Sequence, residues 1–140
     1  MNNYTTLIDK LVAVIKTADI ANLGTKVFAT DEIVFNAYPV CTISPLSFNS
    51  ERITMTDTKV NTSVAIRIWG KIEQNKDDVE RTIEDIGEAI QTLLIDKVTL
   101  ENTLVSTEPL SGLVAYPERF GEALFMYEIK YTGSITERRI

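Results

Sequence analysis

Apolar residues recur at helical spacing in two stretches of the chain. In the first, Tyr4, Leu7, Ile8, Leu11, Val12 and Ile15 fall on one face of a 3.6-residue repeat and predict a helix from about Asn3 to Thr17. Asn2 or Asn3 can cap its start, and Gly24 stops the segment after a connector, Ala18 to Leu23. In the second, Val79, Ile83, Ile86, Ile90, Leu93 and Leu94 form the stripe of a helix predicted from Asp77 to Asp96. At 1.5 Å per residue that helix is about 30 Å long. Asp77 suits the N-cap, with Glu80 three residues on in the manner of a capping box. Asp77/Arg81 and Arg81/Asp85 are favourable i,i+4 pairs, whereas Glu80, Glu84 and Glu88 repel one another unless water or a basic partner faces them.

Elsewhere the period is two. Lys59 to Lys71 is the clearest strand: Val60, Val64, Ile66 and Ile68 alternate with Lys59, Asn61, Ser63, Arg67 and Trp69. A polar opposite face implies a sheet with one side wet or covered by a partner. Glu122 to Thr132 is a closing strand, with Ala123, Phe125, Tyr127, Ile129 and Tyr131 on one side and Leu124, Met126, Glu128 and Lys130 on the other. Lys26 to Ala29, Phe35 to Ser44 and Val98 to Pro109 also read as strands. Leu100, Leu104 and Ser106 share a face in the last of these, and Pro39 marks an edge or bulge in the second. Asp31-Glu32 is a turn, and Ser111-Gly112 and Tyr116-Pro117 punctuate the stretch to Gly121.

Residues 45–57, PLSFNSERITMTD, interrupt two strands, and connections of this length are uncommon in compact domains. Phe48, Ile53 and Met55 are poorly placed in a purely solvated loop. The segment reads as a long protruding loop or hairpin, with Asn49-Ser50 near the tip of the hairpin; a plain surface loop competes with an arm that packs on a neighbouring subunit. The fold class that emerges is α+β: one domain over residues 1–140, with a mostly antiparallel sheet packed against two amphipathic helices.

Composition narrows the functions. At 140 residues, 44% apolar and 24% charged, the chain carries a core without staples and is not disordered. A net charge of -6 opposes sequence-specific nucleic-acid binding, and the only adjacent basic pair is Arg138-Arg139. No stretch approaches the roughly 18 apolar residues of a membrane span, and the start of the chain has no signal-peptide pattern. The single cysteine, Cys41, lies in an apolar strand and reads as a small buried hydrophobe.

The chain has no histidine, which removes Ser-His and Cys-His nucleophile pairs and the commonest metal ligand. The carboxylate neighbours Asp77-Asp78 and Glu84-Asp85 diverge by about 100° on a helix and share no site. The six glycines form no phosphate loop. The sequence thus predicts no catalytic, metal or cofactor-binding residue. Its candidate subunit or partner contacts are Phe48, Arg52, Ile53, Met55, Trp69, Arg138 and Arg139. For Trp69 a core or sheet-face role competes with that of an interface anchor.

Four passages carry a likeness: the opening LIDKLVAVI, the strand AYPVCTIS with its internal proline, VNTSVAIRIWGK followed by DDVERTIEDIGEAIQTLL, and the closing ALFMYEIKY. In order and spacing they resemble the tail-terminator (tail completion) proteins of long-tailed, siphovirus-type bacteriophages. The resemblance implies a hexameric ring, assembled in the host cytoplasm, that stops tail-tube growth at the head–tail junction. It also implies contacts with a tail-tube protein and a head-completion or neck protein, no cofactor and no membrane. DNA would only pass through the channel, where acidic subunits suit passage without sticking. Another neck, head–tail joining or tail-tube-like ring protein is the nearest alternative. A bacterial small-molecule-binding or regulatory dimer and a histidine-independent enzyme are readings of other classes.

Overall fold

The computed structural model describes residues 3–29, 38–52, 57–72, 76–96, 106–107, 111–119 and 122–138. Helix α1 spans Asn3–Ala18 and α2 spans Lys76–Asp96. The strands are β1 Val27–Phe28, β2 Val40–Arg52, β3 Asp57–Lys71, β4 Ser106–Thr107, β5 Ser111–Ala115, β6 Glu118–Arg119 and β7 Glu122–Arg138. The sheet runs β1-β2-β3-β7-β4, and β5 and β6 also pair with β7. Among the described strands the short β1–β2 pairing alone is parallel, and the other pairs are antiparallel. The architecture is α+β, as the two periodicities predict.

Both helices lie on one face of the sheet. Leu7, Ile8, Leu11 and Ile15 of α1 are buried, and so are Ile83, Ile86, Ile90 and Leu94 of α2. They join Cys41, Ile43, Val64, Ile66, Ile68, Phe125, Ile129 and Tyr131 in one core. Val14 is buried too, which widens the α1 stripe beyond the predicted set. Two glycines bring α2 close to the strands. A Cβ on Gly87 would lie 2.8 Å from the Tyr127 ring, and one on Gly70 would lie 2.7 Å from Ile83 Cγ1. Past α1 the chain turns through positive φ at Asp19, Asn22 and Gly24, the last of which needs no Cβ penalty.

The largest departure from the sequence reading concerns residues 45–57. Their described part is paired strand, in keeping with the hairpin alternative rather than the loop: β2 continues to Arg52 and β3 begins at Asp57. Asn49 and Ser50, expected near a tip, are paired within the ladder opposite Asn61 and Val60. The strand was not legible there because Ser47 to Arg52 alternates no apolar residues; it pairs on one side with β3, which is paired in turn along its whole length with β7. The expected Ile53 and Met55 lie outside the described residues.

Several boundaries also shift. β7 ends at Arg138 rather than Thr132, so most of the TGSITERRI segment is strand. Ser111-Gly112 opens a strand instead of a turn. Lys76, not Asp77, is the first helical residue of α2, which leaves Asp77 and Asp78 in the first turn, where the helix dipole favours carboxylates. The described part of the Phe35–Ser44 strand starts at Val40, after a cis Tyr38-Pro39 bond. The bulge falls at Pro45 instead, where the β2–β3 register shifts between Pro45 and Ser47. A missing donor is tolerated there because this part of β2 has no strand on its outer side among the described residues. The Asp31-Glu32 turn and most of the Val98–Pro109 strand lie outside the described residues.

Candidate assembly surface

The face of the sheet away from the helices is not simply wet. Val40, Trp69, Leu124 and Met126 are buried together there, with Tyr38 and Ala115 packed against them. Trp69 is only 6% exposed and donates from Nε1 to Thr42 Oγ1 at 2.8 Å. That bond gives the indole N–H a partner within its own subunit, in keeping with the sheet-face role for Trp69. Next along this face Arg67 reaches Ser44 Oγ at 3.2 Å and Glu128 Oε1 at 3.5 Å. Ser63 and Thr132 then share a buried hydroxyl bond of 2.9 Å. From the apolar cluster towards Ser63 the face thus becomes steadily more polar.

The other predicted contact residues separate into two groups. Phe48 and Arg52 sit in β2 opposite Thr62 and Thr58, and Arg138 ends β7 opposite Asp57. These three belong to one distal arm built from 47–52, 57–61 and 134–138. Trp69 lies at the other end of the same ladder, opposite Met126. Arg139, like Ile53 and Met55, is outside the described residues. The backbone register places residues of opposite charge in paired positions along the arm, Glu51 with Lys59 and Asp57 with Arg138. Such cross-strand placements favour this register over its neighbours.

The sequence reading missed the edge strand β5. Leu113 is 57% exposed and Val114 is 45% exposed. Next to them Tyr116 is held by three contacts. Its hydroxyl donates to Glu80 Oε1 at 2.7 Å, its ring lies 5.3 Å from that of Phe125, and Lys76 Nζ sits 4.6 Å above it. The bond to Glu80 raises the Tyr116 pKa. This latch ties the β5–β6 connection to the start of α2 and fixes β5 at the edge of β7. The exposed run Leu113-Val114 between turn residues was the available clue.

The remaining chemistry is sparse. Burial pushes the Cys41 thiol up to about 12, which keeps it protonated and unreactive. Among the described residues no cluster of His, Cys, Asp and Glu has metal-binding geometry. A cleft of about 200 Å³ is lined by Tyr38, Pro39, Gly70, Lys71, Asp78, Val79, Thr82 and Ile83. That is below the roughly 300–1,000 Å³ of ordinary ligand pockets. Asp77, Asp78, Glu84, Asp85 and Glu88 are exposed on the outer side of α2, making that surface acidic. No described helix is long and apolar enough to cross a membrane. Comparison with protein-family models and with curated protein sequences gives no match.

Proposed function

We propose that this protein is a structural, non-catalytic subunit that assembles with copies of itself into a ring, as the tail terminator of a long-tailed bacteriophage. The ring would cap the tail tube at the head–tail junction and offer a surface to a head-completion or neck protein. The arm carries this reading. Three long strands continue well past the part of the sheet that supplies the described core, into a ribbon of largely polar composition. A ribbon without a strongly apolar face is marginal alone, which gives it reason to bear on a neighbour. The likeness in element order described above supplies the phage assignment. The acidic face of α2 and the net charge of -6 suit a channel that DNA crosses without binding.

Electron microscopy of the purified chain, alone and with the tail-tube protein of the same genome, tests the proposal. Closed rings that arrest tube growth are expected. A monomer that leaves tube growth unchanged would overturn it. Rings that build tubes themselves would favour the tube-like alternative.

A further inference from the structure

We propose that subunits join edge to edge, the open stretch of β2 in one copy pairing antiparallel with β5 of the next. This rests on the ring reading and names the surface that would close it. β5, Ser111–Ala115, pairs only with β7 among the described residues. Its sequence, SGLVA, has no charge and no proline, and Leu113 and Val114 are largely exposed beside the open edge. Monomeric proteins usually protect such an edge with lysine, proline or a bulge. Here those devices are on the other edge: Pro45 and the register shift interrupt β2, and beyond them Ser47–Arg52 has no outer neighbour among the described residues. The two open edges are of matching length, five residues in β5 and six in β2.

Strand direction makes them complementary. β2 and β7 run one way, β3 and β5 the other. A head-to-tail neighbour therefore brings β2 alongside β5 in the antiparallel sense, and the alternation continues from subunit to subunit. A heterologous contact of this kind closes into a ring when the rotation permits. Pairing straight across is blocked. β5 is level with Met126–Lys130 of β7, hence with Val40–Ser44 of β2, where β1 already pairs with Cys41 and Thr42. The neighbour must slide along the strands by about six residues, or roughly 20 Å. Four strands span roughly 19 Å across the sheet. The slide therefore corresponds to a tilt of about 45°, at the upper end of the roughly 35–45° of closed strand rings.

Cysteine cross-linking of the full chain tests the contact. Asn49→Cys and Leu113→Cys are chosen by strand alternation to share a sheet face, and native Cys41 is buried. With a short bismaleimide linker, the double variant is expected to give a ladder of covalent multimers and each single variant none. Covalent dimers from either single variant would mean two-fold pairing of like edges and overturn the inference. A multimeric particle without a ladder would overturn the edge contact while leaving the ring reading intact. A monomeric wild-type chain would overturn both. Leu113→Lys supplies an independent readout at an exposed position: particle mass is expected to fall to that of the monomer with thermal stability unchanged. Retention of the multimer would contradict the inference.

Discussion

One ladder of β2, β3 and β7 runs through two differently built halves. The half that includes Cys41, Ile43, Val64 to Ile68 and Phe125 to Tyr131 is packed by both helices on one face and by the Trp69 cluster on the other. The half formed by 47–52, 57–61 and 134–138 has few apolar residues, and its register pairs positions of opposite charge. Backbone pairing is continuous across both. The first half is held by buried apolar surface, which is the dominant favourable term in folding. The second is held by the ladder and by register, which contribute far less per residue. Substitutions in the first half should therefore be read in stability, and those in the second in assembly.

The largest stability effect is expected at Ile86, 1% exposed at the centre of α2. Ile86→Asp buries an unpaired carboxylate and should unfold the domain, as circular dichroism would report. A folded, soluble variant would show that the core half is not held as described. Gly87→Ala comes next. Its Cβ would be forced against the Tyr127 ring, whose hydroxyl accepts from Gln91 at 2.7 Å and limits its retreat. Overpacking of this kind costs about 1–3 kcal/mol, measurable by denaturant titration. Trp69→Phe should cost about 1–3 kcal/mol, because it leaves the buried Thr42 hydroxyl without its donor.

These positions also show what was legible in the sequence. The α2 stripe and the inward residues of β7 could be read because apolar residues repeat at 3.6 or 2 only where one face is buried. The arm could not: Ser47 to Arg52 has no alternation to reveal a strand, and its pairing is a property of β3 and β7. Trp69, Leu124 and Met126 fall on the outward side of their strands, and the cluster that buries them also requires Val40, Tyr38 and Ala115 from other parts of the chain. Of the predicted contact residues, Phe48, Arg52 and Arg138 fall on the arm and Trp69 does not. β5 was masked by its Ser-Gly start, which reads as a turn until the edge of β7 is there to receive it.

The smallest stability effects separate the halves most cleanly. The Tyr131 hydroxyl is buried without a hydrogen-bond partner among the described residues. Tyr131→Phe should therefore be neutral or slightly stabilising at neutral pH. Burial also raises the Tyr131 pKa above its ordinary value of 10.0, so the folded state holds a proton that the unfolded state releases. That contribution is complete below pH 10 and is lost as pH rises beyond it. Cys41 adds a loss of the same sign above the ordinary thiol value of 9.0. Alkaline unfolding should be shallower in Tyr131→Phe than in the wild type, and an identical pH profile would contradict this origin.

Replacing residues 50–60 by Asn-Gly shortens the arm to a two-residue hairpin closed between Asn49 and Asn61, which face each other in the ladder. If the arm serves assembly and the helix-packed half serves folding, this truncation separates the two. The most direct test is the particle mass of the wild type and of this shortened chain, measured by size-exclusion chromatography with light scattering. The predicted result is a multimer for the wild type and a folded monomer for the shortened chain. A wild-type monomer, or a shortened chain that still assembles, would contradict it.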